Sequence, residues 1–188
     1  MKFSKLLYPF FGISSAMAIA IGYNNLPASG VQTEDGTVAF EAGLLLVDTY
    51  ATFKGVRVRP ARYYFDLELP EDIGEPLKKI VIQQRSGGDD IKFKPEKTEA
   101  YLGDHRNKGE QVGAIAVTDE ESEAITVEFE QPIPPGSRVT VGLKPRRNPD
   151  YAGVYLFGVT AFPQGDKARG MYLGPGRLHF YRGGNSRF

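Results

Sequence analysis

The chain has 188 residues, with Lys plus Arg equal to Asp plus Glu at 23 each, 41% hydrophobic and 12% aromatic residues, and no cysteine. That length holds one domain with a real core, and the composition excludes wholesale disorder. Balanced charge argues against a nucleic-acid or membrane-surface protein, and the absence of cysteine excludes disulfides, thiolate metal sites, cysteine nucleophiles and a lipidated-cysteine anchor.

Met1 to Lys5 carries two lysines, Leu6 to Met17 is apolar, and Ala18-Ile19-Ala20 supplies small residues where a signal peptidase reads. The expectation is an export signal over residues 1–20, with the mature chain starting near Ile21. An uncleaved anchor is the alternative. The polar stretch to Gly36 reads as a flexible segment, and the domain is expected over residues 37–182, followed by a mobile tail over 183–188.

Thr37 to Phe40 and Leu44 to Val47 are short candidate strands. Arg62 to Leu69 alternates cleanly, with Tyr63, Phe65, Leu67 and Leu69 inward and Arg62, Tyr64, Asp66 and Glu68 outward. Lys79 to Gln83 follows with Ile80 and Ile82 inside. Gly87-Gly88-Asp89-Asp90 predicts a turn from which Ile91 to Phe93 pairs back. Tyr101 to Gln111 reads as a polar loop, and Val112 to Val117 as a strand. Ala124 to Glu130 and Arg138 to Leu143 alternate about Pro134-Pro135-Gly136, which predicts a hairpin. Pro145 to Phe162 is apolar on both strand faces beyond its basic opening, so a central, doubly covered strand is expected there. Arg177 to Tyr181 is the last strand. Phe129, Val141 and Leu156 are expected in the core.

Eight or nine short strands with no long amphipathic helix imply an all-β, immunoglobulin-like β-sandwich, with a small closed barrel as the alternative. The strings YYFDLELPEDIGEPLKKIVIQQ from Tyr63, PIPPGSRVTVGLKPRRNP from Pro132, GVYLFGVTAFPQG from Gly153 and LGPGRLHFY from Leu173 resemble a family of secreted cyanobacterial proteins carrying a domain of unknown function. The resemblance implies export in a cyanobacterium and a single small domain. It implies no activity and carries no functional residues over.

Nucleophilic catalysis needs a nucleophile, a base and an orienting group. His105 and His179, the available imidazole bases, lie near no elbow serine and read as solvated. Two distant histidines and few methionines make a poor copper or zinc site, so no metal or cofactor is expected. The acidic runs Glu71-Asp72, Asp89-Asp90 and Asp119-Glu120-Glu121 read as solvated turns, with a calcium ion at Asp89-Asp90 as a minor alternative. A glycosidase pair needs a carboxyl separation that sequence does not supply. The terminal Phe188 is not preceded by an alternating strand, so an integral outer-membrane barrel is rejected.

The most suggestive set is aromatic and basic. Arg146 and Arg147, with Arg177, His179 and Tyr181 from the last strand, would form a rim if the two strands share a sheet. Rings stack on sugar faces and guanidinium forks grip carboxylates or phosphates. The competing reading makes the aromatics core and the arginines its cover. The functional expectation is an exported, non-enzymatic envelope protein that binds or scaffolds a cell-envelope polymer or envelope protein, an anionic glycan being the suggested ligand. A polysaccharide hydrolase of the envelope and a soluble thylakoid-lumen protein are the alternatives.

Overall fold

A computed structural model describes residues 31–32 and 36–183, so the expected leader, most of the segment up to Gly36 and the tail after Gly183 lie outside the described residues. Among the described residues twelve strands form: β1 (Val31–Gln32), β2 (Val38–Ala39), β3 (Leu45–Ala51), β4 (Tyr63–Glu68), β5 (Leu77–Ser86), β6 (Glu99–Gly103), β7 (Lys108–Val112), β8 (Ala114–Thr118), β9 (Ile125–Ile133), β10 (Arg138–Leu143), β11 (Gly153–Pro163) and β12 (Met171–Phe180). β1 and β2 make a small ribbon. The others form two five-stranded antiparallel sheets, ordered β3-β4-β10-β6-β7 and β12-β11-β5-β9-β8. The result is the expected open sandwich rather than a closed barrel, with ten sheet strands in place of eight or nine.

The alternations read from the sequence make the core. Tyr63, Phe65, Leu67 and Leu69 are fully buried, and Val139, Val141 and Leu143 from β10 lie beside them. Opposite stand Ile80, Ile82, Val127, Phe129, Tyr155, Phe157 and Val159. Phe157 sits at the centre, with ring centroids 6.0 Å from Phe65 and 6.2 Å from Tyr63 in edge-on arrangements that suit aromatic quadrupoles.

Several local expectations change. β11 is second in its sheet, not central, and only its Tyr155-Phe157-Val159-Ala161 face meets the core. Leu156 points to the other face and is half-buried, so it is not a core residue. The strands buried on both faces are the neighbours β4, from Tyr63 to Leu67, and β10, from Val139 to Leu143, in the middle of the first sheet. Ile91 to Phe93 does not pair back on β5. Its backbone meets the segment after β10 instead, through Lys94 N–H to the Lys144 carbonyl and Arg146 N–H to the Lys92 carbonyl, both 2.8 Å. Tyr101 to Gln111 is a β6–β7 hairpin rather than a loop.

The predicted β9–β10 hairpin does not form, because β9 belongs to the second sheet and β10 to the first. The Pro134-Pro135-Gly136 turn is tight, with Gly136 at φ 74, yet it is pinned to the end of β4. Leu69 N–H donates to the Ser137 carbonyl at 2.8 Å and Gly136 N–H to the Pro70 carbonyl at 3.3 Å. Those bonds draw the chain across to β4 instead of back along β9.

Candidate functional site

Two surfaces gather polar chemistry. The first is the outer face of the first sheet, where register alone aligns a row of side chains. Asp48 lies opposite Asp66, Asp66 opposite Thr140, and Thr140 opposite Tyr101. The next row runs Tyr50, Tyr64, Gly142, Glu99. A Cβ at Gly142 would lie 2.8 Å from Tyr64 Cε1, so only glycine lets that ring lie across the sheet. Asp66 and Tyr64 point away from the core as the alternation requires, but both are buried rather than in water.

The tip of the β6–β7 hairpin folds over this row. The His105 side chain is 6% exposed, so it is not the solvated loop histidine that its polar neighbours suggest. Its Nδ1 lies 2.5 Å from Asp66 Oδ2 and 4.0 Å from Asp48 Oδ2. Its ring stacks on Tyr50 at 4.6 Å and on Tyr64 at 6.2 Å. Asp66 also accepts from the His105 backbone N–H at 3.2 Å and from Thr140 Oγ1 at 2.7 Å. Asp104 caps the tip by accepting from the backbone N–H groups of Arg106 and Asn107, both 2.8 Å, and these bonds lower its pKa. Lys108 spans the flank over the Tyr64 and Tyr101 rings and reaches Glu99 Oε1 at 3.0 Å. Burial, with the charges around it, raises the Tyr101 hydroxyl pKa well above the ordinary value. His105 Nε2 and the Tyr101 hydroxyl are buried without a hydrogen-bond partner.

The second surface is a basic corner at one end of the sandwich. Asn148, wholly buried, builds it. Its Nδ2 donates to the Phe53 and Gly55 carbonyls at 2.8 and 2.7 Å, and its Oδ1 accepts from the Tyr63 hydroxyl at 2.9 Å. Lys144 Nζ donates to the Arg59 and Ala61 carbonyls at 3.0 and 2.8 Å. Between them these bonds set the 53–61 loop against the 144–150 segment. An open cleft of about 540 Å³ results, lined by Arg59, Phe93, Lys94, Pro95, Glu96, Arg146 and Arg147. Among the described residues Arg59, Lys94 and Arg146 have no ion-pair partner, whereas Arg147 holds Asp150 at 2.6 Å. Partial burial first, and then the neighbouring charges of Arg62, Lys94 and Lys97, lower the Lys144 pKa. Beyond Phe93 the wall turns acidic with Asp119, Glu120 and Glu123.

Of the residues proposed from sequence, Arg146 and Arg147 open this corner. Arg177, His179 and Tyr181 lie on β12 and just beyond it, and β12 pairs with β11. His179 and Tyr181 stack with centroids 6.5 Å apart. The two groups are joined through the 54–57 loop, where Tyr181 bridges Gly55 and Arg57 pairs with Asp150 at 3.0 Å. Tyr155 and Phe157 are core. Arg59 and Lys94 escaped sequence reading because each comes from a loop far from Arg146 along the chain. Asp48, Asp66 and His105 were missed for a similar reason, since only cross-strand register and the folded hairpin tip unite them. Two of the acidic runs engage backbone N–H groups. Asp89 accepts from Asp150 N–H at 2.9 Å, and Asp119 caps Ser122 at 2.7 Å.

Fold and surface together define an all-β sandwich domain with a basic end cleft and a tyrosine-rich covered sheet face. Over residues 37–180 the sequence matches the family described as protein of unknown function DUF2808, and the chain belongs to that family. No curated protein matches the sequence. Among solved structures, the collagen-binding domain from a Staphylococcus aureus adhesin is 13% identical, with a TM-score of 0.36 over 72% of this chain and 97% of that one. The collagen-binding subdomain of the Enterococcus faecalis surface protein ACE is 8% identical, with a TM-score of 0.40 over 76% and 92%. The C-terminal domain of the Streptococcus pyogenes antigen I/II-family protein AspA is 14% identical, with a TM-score of 0.40 over 76% and 46%. These likenesses are too remote to bear on function. Among the described residues no helix is long and apolar enough to cross a membrane.

Proposed function

We propose that this protein is an exported, non-enzymatic binding or scaffolding component of the cell envelope that takes an anionic polymer, a carboxylated or sulfated glycan, at its basic end cleft. The observation that carries this reading is the set of Arg59, Lys94 and Arg146, three cations from three loops around Phe93, with no carboxylate partner among the described residues. Guanidinium groups left unpaired beside a ring offer forked, charge-assisted bonds and a stacking surface. The acidic shoulder at Asp119 and Glu120 repels the same polymer, so the chain would run along the basic side only. Tyr181 and His179 extend the surface on the neighbouring strand. A non-enzymatic role is supported by the burial of His105 Nε2, which keeps that nitrogen from reaching a substrate.

The test is binding of the purified protein to polygalacturonate and to a neutral glucan over a range of salt. Affinity for the acidic polymer should fall with salt, since exposed charges are screened, and the Arg59→Ser, Arg146→Ser double variant should bind weakly with a shallower salt slope. Tyr181→Ala should weaken binding while keeping the wild-type slope. Equal affinity for both polymers, or a double variant that binds like the wild type, would remove the cleft from consideration. Turnover of either polymer would replace the reading with a hydrolase.

A further inference from the structure

We propose that Asp48, Asp66 and His105 form a binding site for a first-row divalent metal ion on the covered face of the first sheet, apart from the basic cleft. Asp48 Oδ2, Asp66 Oδ2 and His105 Nδ1 all lie within 4.8 Å of one another. The imidazole suits borderline divalent ions such as Zn²⁺ or Ni²⁺, and the two carboxylates also admit the harder Mn²⁺.

Register makes the grouping informative. Asp48 and Asp66 face each other directly on paired strands, a like-charge placement that disfavours the sheet unless a positive group stands between them. A register shift between Leu46 and Asp48 sets this opposition. The side chains are also fixed in the way metal ligands are fixed. Thr140 Oγ1 holds Asp66 Oδ1, the His105 N–H is shared between both carboxylate oxygens, and Oδ2 faces the imidazole. The ring is clamped between Tyr50 and Tyr64, with interplanar angles of 14° and 18°. Outer bonds of this kind orient the groups that hold a metal. The Asp66 and His105 side chains are 3% and 6% exposed, while that of Asp48 is 47% exposed, so an ion enters past Asp48 and keeps water there. On binding, the ion replaces the Nδ1 to Asp66 hydrogen bond, and a neutral ring moves its proton to Nε2, so the ring loses none.

The experiment is calorimetric titration of chelator-treated full-length protein with Zn²⁺ near neutral pH, with Mn²⁺ and Ni²⁺ in parallel. One equivalent should bind saturably to at least one of them, and the His105 Nδ1 resonance should shift in long-range ¹⁵N spectra. Asp48→Asn, at an exposed position, should weaken binding at least tenfold without lowering the metal-free melting temperature, and should raise it in so far as the facing carboxylates repel. His179→Ala should bind as the wild type. No saturable binding by any of the three ions overturns the proposal. So does wild-type affinity in Asp48→Asn, or loss of binding in His179→Ala.

Discussion

Asn148→Ala should be among the most damaging single substitutions in this protein, although it removes only a carboxamide. Three bonds disappear with it. The Tyr63 hydroxyl, on a residue wholly shielded from solvent, loses its acceptor, and the Phe53 and Gly55 carbonyls lose their donor. A buried donor left unmet costs about 1–3 kcal/mol, and each half-buried carbonyl, partly rehydrated, about 0.5–1 kcal/mol. The total is about 3 kcal/mol, which for a domain of this size lowers Tm by roughly 6–12 °C. Urea unfolding followed by far-UV circular dichroism measures it, with the m-value expected to hold. Tyr63→Phe supplies the control, because it strands the Asn148 Oδ1. The double variant should then be less damaging than the sum of the singles by about 1–2 kcal/mol. A loss below about 1 kcal/mol for Asn148→Ala, or strict additivity in the cycle, would refute the view that this amide clamps the basic corner.

Two other outcomes follow from the packing. Phe129→Ala and Val141→Ala remove wholly buried side chains and should each cost about 2–5 kcal/mol. Leu156→Ala, on the outer face, should cost clearly less, and equal losses at all three would contradict the assigned faces. Alkaline pH should also destabilise the fold. The raised pKa of the Tyr101 hydroxyl means the unfolded chain ionises first, near pH 10. Stability from this group is therefore intact below about pH 10 and declines above it. Tyr63, raised by burial, acts in the same direction. Tyr101→Phe should be nearly neutral at pH 7, because that hydroxyl has no partner. Its stability should fall less steeply between pH 9 and 11, and identical slopes would count against the burial argument.

Period-two alternation was enough to find β4, β9 and β10 and the faces they bury, because burial on a strand is a local property of the pattern. It was equally enough to place Asp66 and Tyr64 away from the core. It was silent on what lies above that face, since a hairpin tip closing over Asp66 is decided by register among β3, β4, β10 and β6. The doubly apolar run in β11 misled for a related reason. Val154 and Leu156 are partly covered by neighbours on their own sheet, whereas β10 gains its second cover from polar and aromatic residues that carry no apolar signature. The Pro134-Pro135-Gly136 turn was legible as a turn, but its exit direction depends on bonds to Leu69 and Pro70. Of the basic corner, the Arg146-Arg147 pair was visible and the loops that complete it were not.

The alternation of the chain between sheets sets how this protein reaches its native state. After β3 and β4 the path visits the second sheet for β5, returns for β6 and β7, leaves for β8 and β9, returns for β10 and departs again for β11 and β12. Neither sheet is a contiguous piece of sequence. β10, which joins β4 to β6, arrives after every other strand of its sheet, so the first sheet stays split until late in synthesis. Folding dominated by such distant pairings is slow, on the scale of milliseconds to seconds. A chain stopped before Arg138 would expose two unjoined strand pairs with open edges, the form most prone to pairing with another molecule.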